Sequence, residues 1–210
     1  MKICVLTSSY GESDSAFKGL DPPCSPARYA PAFEWHHAAI DKAKAVAQVR
    51  ALVQQGFDVF VNLCDGAWDE DRAGIEVVQT LERYQQAFTG ATSACYDPSR
   101  ALQKQVCHYA GVATPEAAFV HSADEALAAL AHLRFPLIVK HPESYGSIGM
   151  DKSARCEDAP SLQAAVARAV ASFGEALMER FVEGREFTVL VAEGLPNEPP
   201  RTFAPVEFRF

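Results

Sequence analysis

The sequence lacks several features that would each point to a particular class of protein. No apolar run approaches the ~18 residues needed to span a membrane, and there is no internal repeat or low-complexity segment. Lys and Arg together number 19 against 27 Asp and Glu, so the formal net charge is -8. Without a basic stripe, the chain has nothing to neutralise the phosphates along a duplex. We therefore expect neither a membrane span nor a nucleic-acid partner.

Paired cysteine motifs are also absent, because no C-x-x-C occurs among the scattered cysteines. Several cysteines lie within apolar runs, which favours reduced, buried thiols in a cytoplasmic protein over a disulfide framework. The N-terminus, from Met1 to Thr7, is too short for a signal peptide and predicts a strand. The six cysteines are Cys4, Cys24, Cys64, Cys95, Cys107 and Cys156.

The 210 residues suffice for one large domain or two small ones, and 49% of them are hydrophobic. A strand over residues 2–7, a helix over 34–55 and a strand over 57–63 predict a parallel strand–helix–strand unit. His36 and His37 fall at the start of that predicted helix. Adjacent residues face different sides of a helix, so we do not expect them to form a metal pair.

Polar residues follow both predicted strands of this unit. Glu12 lies in a Gly/Ser turn after the first strand, and an acidic group including Asp65 and Glu70 follows the second. Ligands bind at the carboxyl ends of strands in α/β proteins. The alternatives are a solvated loop for Glu12 and, for the acids, a helix start charged to suit the dipole. The residues alone leave both alternatives open.

Helix signals open the second half of the chain. Asp97 and Pro98 predict a helix that runs to about Tyr109, on which Arg100 and Lys104 share a face. A strand over 117–120 follows, and then a helix from Ser122 with a capping box.

The stretch from Phe135 to Met150 combines a short apolar strand with a polar loop. The strand ends on Lys140, and the loop over residues 144–149 holds two glycines and two hydroxyls. Glycines let backbone N–H groups approach an anion, and a fixed cation beside them is typical of phosphate sites. The alternative is an ordinary hairpin with a surface lysine.

The remaining pattern alternates one helix with several strands. A helix begins near Asp158 and ends at Gly174, and strands are predicted over residues 176–182, 186–192 and 202–210. The chain stops inside the last of these, which is unusual for a complete domain.

This order of elements resembles the D-alanine–D-alanine ligase branch of the ATP-grasp enzymes, from about Asn62 to Ala192. The most specific pieces are FPLIVK at 135–140, YGSIGM at 145–150 and MERFVEGREFTV at 178–189. The resemblance implies an α/β fold, in which an N-terminal Rossmann-like (pre-ATP-grasp) parallel sheet domain precedes a partial, truncated ATP-grasp α+β domain. The implied divisions are the Rossmann-like domain over 1–92, the small lid subdomain over 93–182 and an incomplete central subdomain over 183–210.

The resemblance also implies ATP as cofactor and a role for each matching residue. Lys140 resembles the lysine on the nucleotide phosphates, and Arg100 falls at the family's first nucleotide lysine. Ser147 resembles part of the lid over the phosphates, and Glu179 the acid facing the adenine amino group. The segment Phe181–Val182 would line the adenine edge. Glu186 would bind the ribose hydroxyls, and Glu12 and Glu70 would lie at the substrate end.

The departures from the family pattern concern the substrate end and the metal. Gly146 stands at the family's first loop serine, and Asp65 replaces the histidine of its His-Gly pair. Where the family has G-E-D-G, this chain has Asp69-Glu70-Asp71-Arg72, so only the central two residues match. The Mg²⁺ carboxylates of the family are expected beyond Phe210, so no metal ligand or catalytic residue is assigned within this chain.

The resemblance implies an ATP-dependent carboxylate–amine ligase that acts through an acyl phosphate on a small carboxylate or amino-acid substrate. The absence of the expected metal carboxylates indicates a fragment or truncated product. The alternative is a non-catalytic nucleotide-binding module or an inactive fragment. A homodimer is a further expectation.

Overall fold

The computed structural model describes residues 1–11, 18, 24–67, 70–143, 150–195 and 197–209. The chain divides into two compact units, Met1–Leu102 and Gln103–Phe210. The predicted sites at Glu12, Ser147 and Gly146 lie outside the described residues.

A three-stranded parallel sheet forms the centre of the first unit. Strand β1 (Lys2–Ser8) lies between β2 (Glu34–Ile40) and β3 (Val59–Leu63), so the strand order is β2-β1-β3. Because β1 is the central strand, its apolar residues Cys4 to Leu6 are completely buried. The predicted parallel sheet is therefore present, with one strand more than the sequence indicated.

The predicted helix over residues 34–55 is wrong in its first third. Residues 34–40 form β2 and pair with β1 in a register that sets His36 opposite Cys4 and His37 opposite Val5. A 3-10 turn (Lys42–Lys44) follows, and helix α1 begins only at Ala45 and ends at Val53. Seven consecutive residues pair with the central strand, and tertiary pairing of this kind overrides a weak local preference.

Helix α1 packs with α2 (Ile75–Arg83) against this sheet to enclose the core of the first unit. Helix α3 (Arg100–Tyr109) follows a 3-10 turn (Ser93–Cys95) and starts two residues after the predicted Pro98. The core consists of Cys4, Leu6, Ile40, Ala45, Val49, Leu52, Phe57, Phe60, Cys64, Ala73, Val77 and Leu81.

The second unit contains a four-stranded antiparallel sheet covered by two helices on one face. The strands are β4 (Ala117–Val120), β5 (Leu137–Lys140), β6 (Arg155–Cys156) and β7 (Ala176–Arg180), in the order β4-β7-β5-β6. The helices are α4 (Ala123–Ala129) and α5 (Ala159–Phe173). Their shared core is Val120, Ala126, Leu133, Leu137, Val139, Cys156, Leu162, Ala165, Val166, Ala176 and Met178.

The helix ends of this unit follow the predicted signals. Asp158 caps α5 by accepting the Ser161 N–H at 2.9 Å, and Gly174 ends the helix at φ 80°. Ser122 caps α4 by accepting the Glu125 N–H at 3.1 Å. The Glu125 carboxylate accepts the His121 N–H rather than that of Ser122, so the predicted capping box is completed one residue earlier.

The last described segment forms two short antiparallel pairs. Strand β8 (Glu186–Thr188) pairs with β11 (Val206–Phe208), and β9 (Val191–Ala192) pairs with β10 (Arg201–Thr202). The predicted continuous strand over 186–192 is interrupted because the register changes. Continuing the β8–β11 register would set Val191 opposite Phe203, whereas Val191 pairs with Thr202.

None of the helices in the described ranges is long and apolar enough to cross a lipid bilayer.

Candidate functional site

Two lysines meet on one carboxylate in the second unit. The Lys140 Nζ donates to Glu179 Oε2 at 2.5 Å, and the Lys104 Nζ lies 2.7 Å from Glu179 Oε1. The Glu179 side chain is only 8% exposed, while the two lysine side chains are 20–23% exposed. Each carboxylate oxygen therefore holds one ammonium group.

Sheet register places Lys140 and Glu179 on the same face. Strands β5 and β7 are antiparallel neighbours, with Ile138 opposite Glu179 and Lys140 opposite Leu177. Alternate residues of a strand share a face, so Lys140 lies diagonally across from Glu179. The other residues of β5, Leu137 and Val139, face the helices and the core.

Lys104 reaches this face from helix α3. Its Nζ also donates to the Pro115 carbonyl at 2.9 Å, just before β4 begins at Ala117. Because Ala117 is the register partner of Glu179, the Pro115 contact holds the lysine beside the carboxylate. The ammonium is thus held by a backbone oxygen and a carboxylate together.

The charges in this cluster favour an ionised carboxylate. Burial by itself raises the pKa of Glu179, but hydrogen bonds and charge attraction from Lys104 and Lys140 outweigh burial and lower that pKa below its usual value. Two cations and one anion leave the cluster of Lys104, Lys140 and Glu179 with a net positive charge. Such a cluster can attract an anionic ligand while offering it a fixed acceptor.

The predicted residues Lys140 and Glu179 are brought into direct contact, and Lys104 is the second cation on Glu179. Lys104 lies one helical turn after Arg100 on α3, and the role predicted for Arg100 on the nucleotide stays a prediction. The sequence shows that Arg100 and Lys104 share a helix face, but it does not show which of them reaches β7. Only the antiparallel pairing of β4 with β7 decides that.

Phe181 and Val182 follow β7 directly. The Phe181 N–H donates to the Pro136 carbonyl at 2.8 Å, and the guanidinium of Arg155 lies 4.4 Å from its ring centroid. Val182 is 58% exposed. These contacts hold the segment at the C-terminal end of β7, the strand that carries Glu179.

Glu186 opens β8, where it is exposed and lies opposite Phe208. Among the described residues, no hydrogen bond or ion pair joins it to the cluster of Lys104, Lys140 and Glu179. The predicted ribose acid is thus on a different sheet from the predicted adenine acid.

A cavity of about 250 Å³ lies on the helix side of β5. Val139, Ala165 and Ala169 line it, and these side chains belong to or adjoin the core beneath α5. The Glu179 carboxylate faces the opposite side of the sheet, because Met178 and Ala176 occupy the core side of β7. Lys140 also lines the cavity, so the cavity adjoins the lysine–glutamate cluster at that residue, whereas Glu179 is not among its lining residues.

A second polar cluster lies in the first unit, around the side chain of Arg72. This side chain is 2% exposed, and its Nη2 and Nε lie 2.6 and 2.7 Å from Glu70 Oε2. Its Nη1 donates to Asp65 Oδ1 at 3.0 Å and to the Tyr10 hydroxyl at 3.2 Å. Burial lowers the pKa of Arg72, but the hydrogen bonds to Glu70 and Tyr10 more than reverse this and raise it.

The acids after β3 serve two purposes rather than one. Asp65 and Glu70 are bound by Arg72, whereas Glu76 accepts the Gly74 N–H at 3.2 Å in the first turn of α2. Glu76 is the acid in the first turn of α2, where a negative charge suits the helix dipole. The predicted substrate residue Glu70 lies at the carboxyl edge of the sheet with its Oε2 already accepting from Arg72.

Across the described ranges, no three His, Cys, Asp or Glu side chains are grouped in a way that could hold a metal ion. These residues therefore do not fit a magnesium site.

The sequence profile described as "D-ala D-ala ligase C-terminus" matches residues 103–210. The D-alanine–D-alanine ligase of Xylella fastidiosa is 30% identical over 160 residues, which cover 74% of this chain and 51% of that protein. The ligase of Ectopseudomonas mendocina is 41% identical over 91 residues, covering 43% of this chain and 28% of that protein. The chain thus matches between about a quarter and a half of the length of these relatives.

Among solved structures, the D-alanine–D-alanine ligase of Bacillus anthracis complexed with ATP has a TM-score of 0.60 and 17% sequence identity. That similarity covers 100% of this chain and 71% of the ligase. At this level of identity the likeness establishes the fold, which is mixed α/β and of the ATP-grasp type.

Proposed function

Because the chain belongs to the D-alanine–D-alanine ligase family of ATP-grasp proteins, we propose that it binds ATP as part of a carboxylate–amine ligase. The observation that carries this proposal is the convergence of Lys104 and Lys140 on the buried carboxylate of Glu179. A solved structure of the same fold is complexed with ATP, and the curated relatives of this chain are D-alanine–D-alanine ligases.

The lysine–glutamate cluster fits a nucleotide in charge and in chemistry. Lys140 and Lys104 supply two ammonium groups for phosphate oxygens. Glu179 supplies an ionised acceptor for an adenine amino group. The backbone of Phe181–Val182 continues from the end of β7, the strand that carries Glu179. In this proposal Lys104 joins Lys140 as a phosphate contact, in addition to Arg100 and Ser147. Glu186 remains the proposed ribose contact.

When bound, ATP would supply the phosphoryl group that activates a carboxylate toward attack by an amine. The part of this chain is to bind and orient the nucleotide, since phosphoryl transfer depends chiefly on positioning and charge neutralisation. Because the described residues do not fit a magnesium site, no step carried by the metal is assigned to them.

For the substrate end we propose Glu12, which follows β1 in the sequence, and Glu70, which follows β3 at the carboxyl edge of the parallel sheet. The proposed substrate is a small carboxylate or amino acid. The proposed domain divisions are a Rossmann-like domain over 1–92, a lid subdomain over 93–182 and the start of a central subdomain over 183–210. We further propose a cytoplasmic homodimer.

A second candidate function is a nucleotide-binding module without ligase activity. It is favoured by one observation, the lack of a metal-binding group among the described residues. The two functions share the nucleotide site and differ in turnover.

Calorimetric titration of the full chain with ATP and Mg²⁺ tests the shared nucleotide site. We expect saturable binding, and its absence in a folded sample would remove both functions. Measuring ATP-dependent phosphate release with mixed amino acids then separates them. Steady release excludes the binding-only module, whereas binding without release excludes a ligase made by this chain alone.

A further inference from the structure

Arg72 contacts the segments that follow all three strands of the parallel sheet. Its side chain donates to Tyr10 after β1 and to Asp65 after β3, and its backbone forms a bridge with Asp41 after β2. The same side chain binds Glu70. One buried residue therefore joins every loop at the carboxyl edge of the sheet.

Neighbouring contacts hold the same loop in place. The Ser8 hydroxyl donates to the Ala73 carbonyl at 2.8 Å, and the Tyr96 hydroxyl donates to the Cys64 and Gly66 carbonyls at 3.1 and 3.2 Å. The Lys42 Nζ donates to the Ala67 carbonyl at 3.1 Å. The described part of the loop between β3 and α2 is thus held from β1, from the segment after β2 and from the segment before α3.

Burying a guanidinium costs free energy unless its partners compensate the charge. Here the buried guanidinium also determines where its partner carboxylates lie. The planar fork of arginine fixes the orientation of the carboxylates that it binds, which a flexible ammonium would do less well. Glu70 is 17% exposed and Asp65 is 59% exposed, so both carboxylates are fixed from the buried side and accessible from the other. The carboxyl edge of a parallel sheet is where α/β proteins bind ligands.

Two of the residues at which this chain departs from the ligase pattern contact each other. Asp65 stands at the histidine of the His-Gly pair and Arg72 at the last glycine of G-E-D-G, and they form the 3.0 Å ion pair. A cation introduced at residue 72 needs an anion within reach, and the replacement at residue 65 supplies it. The departures are therefore coupled rather than independent.

We propose that Arg72 is a positioning residue for the substrate end of the site, holding Asp65 and Glu70 to bind the amino group of an amine or amino-acid substrate. This inference rests on the proposed ligase-type function. Arg72 itself is too buried to contact substrate, so it acts through the two carboxylates.

The test uses the full chain, with D-alanine and L-alanine as separate probes titrated by calorimetry. Arg72→Met removes the fork and is expected to weaken binding of the preferred enantiomer at least about tenfold. Arg72→Lys keeps the charge and is expected to recover most of that affinity. ATP affinity is measured in parallel and should change less than about twofold in either variant. A purely structural role would lower the unfolding temperature of Arg72→Met but leave the alanine affinity of the folded protein unchanged, which would overturn the proposal.

Asp65→Asn provides a second test, which applies even if Arg72→Met does not fold. It leaves the Arg72–Glu70 contacts in place and should still weaken alanine binding, with little further loss when combined with Arg72→Lys. Asp65→His with Arg72→Gly restores the ligase pattern at both positions, and each single change should impair binding more than the pair does. Additive losses in this cycle would overturn the coupling.

N-acetylalanine distinguishes the ligand class, since it keeps the carboxylate and lacks the ammonium group. We expect no binding of N-acetylalanine, and equal affinity for acetylated and free alanine would overturn the amine assignment. Binding of ATP without binding of either alanine would overturn this inference and leave the nucleotide proposal intact. Alanine binding without ATP binding would overturn the nucleotide proposal and leave this inference intact.

Discussion

The ammonium of Lys104 lies 2.7 Å from Glu179 Oε1, although the two residues come from helix α3 and strand β7, which are far apart in the sequence. With Lys140 on the other oxygen, the carboxylate is held between two cations. This arrangement makes Glu179 the central residue of the proposed nucleotide site.

Replacing Lys140 by methionine should weaken ATP binding about ten- to a hundredfold, because a hydrogen bond to a charged group is worth about 1.5–3 kcal/mol. Lys152→Met is the matched control, since Lys152 is an exposed lysine in a 3-10 turn of the same unit. Calorimetric titration with ATP measures both. Equal affinities for the two variants would contradict a phosphate role for Lys140.

Lys104→Met and Arg100→Met compare two candidate phosphate contacts. The structure places Lys104 on Glu179, and the family pattern indicates Arg100. We expect Lys104→Met to lower ATP affinity about tenfold, since it removes one of the two cations on the carboxylate. Arg100→Met tests the prediction from the family pattern under the same conditions. A loss confined to Arg100→Met would show that Lys104 has only a structural role.

Glu179→Gln should destabilise the second unit by on the order of 1–3 kcal/mol, because it leaves two neighbouring ammonium groups without their shared anion. Glu186→Gln is the control, since Glu186 is exposed on β8. Urea denaturation followed by circular dichroism gives the free energy of unfolding of each variant. Similar values for both would argue against the bridging role of Glu179.

The stability contributed by Glu179 should also depend on pH. The pKa of Glu179 is lower in the folded protein than the usual 4.5, so its contribution is present above that value. It is lost as the pH falls through the folded-state pKa. The free energy of unfolding should therefore decrease more steeply below pH 4.5 in the unaltered chain than in Glu179→Gln. Parallel pH profiles would show that the carboxylate is not coupled to folding.

Gly66→Ala should disrupt the loop that carries Arg72. A Cβ at residue 66 would lie 2.2 Å from the Arg72 carbonyl oxygen, so the backbone must shift at a cost of about 1–3 kcal/mol or more. Gly11→Ala is the control, because a Cβ there would meet its nearest atom, the Ser9 hydroxyl oxygen, at an ordinary 3.6 Å. Thermal unfolding compares the two. If Gly66→Ala is tolerated as well as Gly11→Ala, the close approach of the two backbone segments is not needed for stability.

Local signals predicted much of the second unit correctly. Strand β4, the Asp158 cap and the Gly174 end of α5 lie where the sequence placed them, because caps and turns depend on residues close together in the chain. The same kind of reasoning failed over residues 34–40, where alanine and the downstream helical spacing suggested a helix. Pairing with β1 stabilises the strand there, and no local pattern contains that information.

The sequence by itself determined the family and the α/β class and named Lys140 and Glu179 as candidate site residues, since these follow from ordered motifs that a chain carries wherever it folds. Tertiary structure alone decided that Lys140 and Lys104 both contact Glu179 and that Arg72 binds Asp65 and Glu70. Contacts of this kind depend on strand order, register and the path of loops between distant segments. Those are set by packing of the whole unit, and no short stretch of residues encodes them.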